Sequence, residues 1–220
     1  GLLVLFPCLV AAKPAKLQPP NYLFIAVDDL NDWIGPLRGH PQVKTPNLDR
    51  LARRGVQFER AYTNQAVCAP SRNALMTGLR PQTLGIYDLP TNFRRAVPEA
   101  VTVAQYFQRH GYRTEALGKI MHTGHGNQED AASWTVPPWR PGGSSYALPA
   151  TLAAIEQRVA QARADGVPAA QMAAYRNGPA TEMADVPDNA YADGKIADEA
   201  IRRLAAAAAK PAEPWFIGVV

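Results

Sequence analysis

The sequence predicts an α/β fold built on a mostly parallel central sheet. Two continuous apolar runs carry that expectation, Tyr22-Leu23-Phe24-Ile25-Ala26-Val27 and Trp215-Phe216-Ile217-Gly218-Val219-Val220. Such runs suit strands covered on both faces. Between them helical segments alternate with further extended stretches, the order from which parallel sheets are made. At 220 residues, 47% hydrophobic and 19% charged, the chain can bury one substantial core.

Taken in order, Gly1 to Ala12 is almost wholly apolar and gives way to Lys13-Pro14-Ala15-Lys16. That reads as the clipped remnant of an export signal, so residues 1–18 are expected to be signal remnant and linker. A membrane-spanning helix needs roughly 20 apolar residues, which argues against stable membrane insertion. The alternative is a buried N-terminal strand. Leu5-Phe6-Pro7 lacks the small residues of a lipoprotein site, and without this segment Cys68 is the only cysteine, its thiol free for other chemistry.

After Pro19-Pro20 the first apolar run is a strand. Pro46 to Gly55 is a helix, with Thr45 as N-cap, Pro46 at the first position and Gly55 at the end. Val56 to Tyr62 suits a short strand. Cys68 opens a short helix in which Pro70 fits the first turn, where its missing N–H is harmless, and Gly78 closes it. Val101 to His110 is an amphipathic helix capped near Thr102 and closed by Gly111, and Tyr112 to Leu117 returns as a strand. Gly126 to Ser145, rich in Gly, Pro and Trp, predicts a long surface loop. Helices are expected over Thr151–Ala164, Ala169–Tyr175 and Ala192–Lys210, the last stopping before Pro211. Val220 ends the chain inside the final strand, which reads as a sheet cut short. Residues 19–220 are therefore expected to be part of one larger domain.

The net charge is +4, but the basic residues are scattered and no nucleic-acid-binding module is visible, so nucleic acid is excluded as a partner. Chemistry concentrates at three places. Asp28-Asp29 follows the first strand, where both carboxylates can turn inward and offer hard oxygens to Ca²⁺, with Mg²⁺ the lesser fit. Taken alone, the same pair suits a solvated turn. Cys68-Ala69-Pro70-Ser71-Arg72 places a thiol and a guanidinium at a helix N-terminus, a setting that favours an anion; a buried structural cysteine is the plain alternative. Gly118-Lys119-Ile120-Met121-His122-Thr123-Gly124 follows the Tyr112–Leu117 strand with a cation and a group able to move protons near neutral pH.

The fixed letters Cys-x-Pro-Ser-Arg-x-x-Leu-x-Thr-Gly, from Cys68 to Gly78, resemble the signature of the type I sulfatases. Gln65-Ala66-Val67 before them and Leu79-Arg80-Pro81 after them are most similar to the iduronate-2-sulfatase branch. The resemblance implies an alkaline-phosphatase-like α/β/α sandwich, of which residues 19–220 are the N-terminal part of the catalytic domain. It implies oxidation of Cys68 to formylglycine by a formylglycine-generating enzyme, and attack by the hydrated aldehyde on a sulfate ester, here of a sulfated carbohydrate. It also implies a divalent cation held by Asp28, Asp29 and the modified Cys68, with Arg72, Lys119 and His122 lining the sulfate site. The family's later Asp-His or Asp-Asn ligand pair has no counterpart after Cys68 except Asp188-Asn189, which sits as a turn, so the remaining ligands are expected beyond Val220. A phosphate or phosphonate monoester hydrolase on the same fold, and an inactive sulfoglycan-binding fragment, stay open. Tyr87-Asp88 and the pair Trp134 and Trp139 are candidates for contact with a sugar ring, loop packing being the other role for the tryptophans. His125 shares the loop of His122 and is expected to be solvent-exposed without a role.

Overall fold

A computed structural model describes residues 18–220; the apolar N-terminal segment, with Cys8 and the expected export signal, lies outside the described residues. Three strands form one parallel sheet: β1 (Tyr22–Ile25), β2 (Arg113–Leu117) and β3 (Trp215–Val219), in the order β1-β3-β2. β3 is thus central, pairing Tyr22 with Phe216 on one side and Arg113 with Trp215 on the other.

The period-2 alternation of β2 and β3 sorts side chains into two cores. Ala116 and Phe216 face a cluster with Met76, Leu84, Ile86, Phe93, Ala104 and Trp134, contributed by α2 (Cys68–Thr77), α3 (Pro81–Leu84), α4 (Phe93–Ala96), α5 (Val103–Arg109) and the loops around them. Leu117 and Ile217 face Ile196 and Ala200 of α8 (Ala192–Ala208). Helices therefore cover both faces of the sheet, giving the three-layered α/β/α arrangement expected. A short α1 (Pro46–Ala52) precedes these layers, while α6 (Pro149–Ala164) and α7 (Met172–Tyr175) lie between β2 and α8 in the chain.

Most segment expectations hold within a few residues, and their local chemistry is visible. Gly78 ends α2 in the left-handed conformation, at φ 69°. Thr102 caps α5 in a reciprocal box with Gln105, and its buried hydroxyl also bonds Ser133 Oγ at 2.7 Å. Asp188-Asn189 lies in a short 3-10 turn, as read.

Two expectations are corrected. β1 is not covered on both faces: Tyr22, Leu23 and Ile25 are exposed, Ile25 by 60%, because β1 is an edge strand and nothing among the described residues covers its outer side. Val56 to Tyr62 forms no strand, and Val56 and Tyr62 are more than 80% exposed. Strand propensity needs a partner strand to be realised, and none of the described strands lies beside this segment.

The stretch 126–145 is irregular but only partly a surface loop. It runs back along β2, where Thr135 N and Thr135 Oγ1 both bond Thr114, and Trp139 bridges Leu117. Trp134 is buried, stacked on Phe216 at 6.4 Å. Both tryptophans therefore serve packing.

Candidate active site

Because the strands are parallel, the segments leaving their carboxyl ends emerge on one edge of the sheet, where α/β folds place their chemistry. Asp28 lies just past β1 and Lys119 just past β2. The turn at Lys119 depends on Gly118, whose φ is 80° and where a Cβ would collide with the Val220 carbonyl oxygen.

Arg72, from α2, ties the two strand ends together. Its Nη2 pairs with Asp28 Oδ1 at 2.7 Å, and its Nη1 donates to the carbonyl oxygens of Lys119 and, at 3.2 Å, Ile120. Lys119 Nζ stands 3.7 Å from the other Asp28 oxygen. Arg72 is only 8% exposed, so its charge acts in a medium poorer than water, and a rigid fork suits bonds in three directions. Cys68, free and half-buried, opens the helix four residues before Arg72, which puts both on one helix face. Two cations against one carboxylate leave the spot net positive.

His122 completes the group from the β2 side. It is 7% exposed, and burial, followed by the charges of Lys119, His125 and Arg72, holds its pKa below the ordinary imidazole value. Its Nε2 lies 3.2 Å from His125 Nδ1, while its Nδ1 is buried with no partner among the described residues. The structure thus brings Asp28, Arg72 and Lys119 into direct contact and places His122 within reach of their charges. Asp29 is exposed with its backbone in the left-handed region, at φ 55°, and no contact joins it to that group. No three His, Cys, Asp or Glu side chains converge as a metal-holding group among the described residues. The carboxylates suit a hard cation in kind, but two fall short of the six to eight oxygens that Ca²⁺ takes.

Sequence reasoning missed the polar surroundings of His122. A polar cleft of about 280 Å³, lined by Asn73, Asn92, Arg94, His122, Asn127 and Glu129 among others, lies beside it. Arg94 grips Asp130 with Nε at 3.2 Å and Nη2 at 2.6 Å, and Asp130 accepts from Ser133. Asn127 donates to the carbonyls of Leu89 and Pro90. Glu129 accepts the Met121 N–H at 2.8 Å, and its other oxygen is buried without a partner; burial pushes its carboxyl up to about 7. None of these residues forms a motif. The one available signal was His125, three residues after His122 between glycines.

The sequence profile of the family described as Sulfatase matches residues 20–220. The chain belongs to the sulfatase family. The chain is 35% identical over 202 residues to mouse (Mus musculus) iduronate 2-sulfatase, which spans 90% of this chain and 34% of that protein. A sulfatase of Formosa agariphila is 45% identical over 113 residues, 49% of this chain and 22% of its own. The chain therefore spans about a third or less of these relatives. Among solved structures, that of Ps i-CgsB in complex with k-i-k-neocarrahexaose matches with a TM-score of 0.64 and 25% identity, over 92% of this chain and 44% of that one. The phosphonate monoester hydrolase of Agrobacterium radiobacter shares the fold, with a TM-score of 0.57 and 23% identity over 91% and 40% of the two chains.

Proposed function

We propose that this sulfatase-family chain carries the sulfate-holding half of an enzyme that hydrolyses sulfate esters of a sugar or glycan. The observation that carries the reading is the Arg72–Asp28–Lys119 cluster, one helical turn from Cys68. A guanidinium and an ammonium around one carboxylate leave positive charge for a tetrahedral oxyanion, and a water-poor setting strengthens it. Once oxidised to formylglycine by its maturing enzyme, Cys68 supplies a hydrated aldehyde, a nucleophile that can later release sulfate by re-forming its carbonyl. Asp28 and Asp29 would hold Ca²⁺, with Mg²⁺ the poorer fit, to neutralise charge on the sulfate oxygens.

The chain's own side chains do the rest. Arg72 and Lys119 hold and orient the sulfate group. His122, kept neutral near pH 7 by burial and neighbouring cations, is the proton carrier for the leaving alcohol. Tyr87, exposed beyond α3, has its carbonyl bonded by Gln65 just before Cys68, and with Asp88 it is the nearest candidate for contact with the sugar. Export from the cytoplasm accords with the apolar N-terminus. No helix among the described residues is long and apolar enough to cross a membrane.

The test is a mass measurement of the tryptic peptide spanning position 68 in protein made with the maturing enzyme, joined to turnover of an aryl sulfate. A peptide with an intact thiol, or Cys68→Ala with full turnover, would sink the mechanism. The fold shared with a phosphonate monoester hydrolase makes the matched aryl phosphate the right competitor; preferential phosphate turnover would favour that second reading.

A further inference from the structure

One peptide group joins the candidate site to the polar cleft beside it. Arg72 Nη1 donates to its oxygen, the Ile120 carbonyl, at 3.2 Å, and Glu129 Oε1 accepts its N–H, that of Met121, at 2.8 Å. A peptide plane bonded at both ends cannot turn without losing a bond, and each bond polarises the group for the other. Arg72 also donates to the carbonyl of Lys119, so the backbone that carries the Lys119 side chain is part of the same assembly. Around Glu129 little favours a negative charge. Its Oε2 is buried without a hydrogen bond, as is the Trp134 indole N–H that lies toward it. Of the nearby cations, Arg94 of α4 is taken up by Asp130 and Arg72 of α2 by Asp28, while Arg140 donates to Thr123 Oγ1. His122, on the wall of the same cleft, is itself held neutral. A carboxyl so placed keeps a proton on Oε2, and burial pushes its pKa up to about 7.

We propose that Glu129 is a positioning residue of the sulfate site: it fixes the Ile120–Met121 peptide against Arg72, and while it carries its proton it leaves the positive charge of Arg72 and Lys119 to the bound oxyanion. The inference rests on the reading above, in which Arg72 and Lys119 hold the sulfate group. Two cations against Asp28 leave one positive charge, and an ionised Glu129 offsets it through an interior that screens poorly. Glu129 is neutral below about pH 7 and ionised above, so affinity for the oxyanion is highest on the acid side and falls as pH rises through that value. By reciprocity, a bound dianion holds the proton on Glu129 more tightly. Glu129 touches no substrate; it acts through the peptide and through its charge.

Inorganic sulfate is the probe, titrated by calorimetry into the matured protein at pH 6 and pH 8. The wild-type Kd should rise roughly 3- to 10-fold between the two. Glu129→Gln keeps an acceptor for the Met121 N–H and cannot ionise, so its Kd should change by less than about twofold. Glu129→Leu, shown to be folded by circular dichroism, orphans that N–H and should bind sulfate roughly 3- to 10-fold more weakly than Glu129→Gln at pH 6. In ¹⁵N–¹H spectra the Met121 amide should titrate with the carboxyl, near pH 7, move to a higher midpoint when sulfate is added, and lose that step in Glu129→Gln. A wild-type Kd independent of pH, the same rise in Glu129→Gln, equal binding by the leucine and glutamine variants, or a Met121 midpoint that ignores sulfate would each overturn the inference and leave the sulfate site standing. Arg72→Lys separates the two readings. Sulfate binding indifferent to that change, or absent from wild type, would overturn the proposed site and the inference with it.

Discussion

At the scale of single residues, Arg72 and Glu129 make opposite demands on their surroundings. Arg72 is a buried charge whose fork reaches a carboxylate and two carbonyls at once. Lysine keeps the charge but cannot span those directions, so Arg72→Lys should cost about 10²- to 10³-fold in kcat on an aryl sulfate, measured at saturating substrate. A loss below about threefold would remove Arg72 from the oxyanion-holding role. Glu129 is a carboxyl kept protonated by burial, with its folded pKa pushed up to about 7 from the ordinary 4.5. The folded state therefore binds more protons than the unfolded one between about pH 4.5 and 7, and stability falls as pH rises across that window. The full effect is on the order of 3 kcal/mol. Glu129→Gln keeps the acceptor for the Met121 N–H and removes the titration. Denaturant unfolding from pH 4.5 to 8 should then show a flatter pH dependence than wild type; an unchanged slope would place the titration elsewhere.

At the scale of elements, β2 is held to both helical layers by different means. On one face Thr114 and Ala116 pack toward α5 and the returning loop, with Gln108 donating to Thr114 Oγ1. On the other, Glu115, only 2% exposed, accepts from Arg113 and from Arg203 of α8, and Arg203 also reaches Glu199. Glu115→Ala removes one of the two carboxylates that hold Arg203, leaving Glu199, and should destabilise by about 1.5–3 kcal/mol in denaturant titration. The turn after β2 is equally constrained. An added Cβ at Gly118 meets the Val220 carbonyl oxygen, and a φ of 80° is strained for any side chain, so Gly118→Ala should lower the melting temperature by a shift corresponding to more than about 2 kcal/mol. A neutral outcome would mean that the close approach of Gly118 and Val220 is not needed by the fold.

At the scale of the whole molecule, the sheet is protected on the β2 side and open on the β1 side. β1 shows Tyr22, Leu23 and Ile25 to solvent, followed by Val27, an apolar edge of the kind that pairs with other chains. Ile25→Lys should reduce concentration-dependent light scattering of the 220-residue chain without changing its far-ultraviolet circular dichroism; unchanged scattering would show that association runs through another surface. The same edge carries Asp28, so the openness and the candidate site share one end of the sheet.

Much of this protein was legible from letters alone, because its information is local. Pro46, Gly78, Thr102 and Gly111 punctuate helices through dihedral limits and caps that act within one turn, and a fixed spacing from Cys68 to Gly78 needs no partner to be read. Asp28, Arg72 and Lys119 were legible as types, but their meeting was not. It depends on β3, nearly a hundred residues after Lys119, pairing between β1 and β2. The same long-range pairing decided that Val56 to Tyr62, strand-like in composition, stays unpaired. Packing alone decided that Trp134 and Trp139 serve the core. His125 is exposed, as read, but its hydrogen bond to His122 was not legible: it depends on the turn that Gly124 and Gly126 permit, which Leu89, Pro90 and Asn92 brace through Asn127. The sequence by itself determined the helices, three of the strand segments and the sulfatase-like motif that opens at Cys68. The tertiary structure decided which charges face one another and which groups lose water, because both depend on distances between segments remote along the chain.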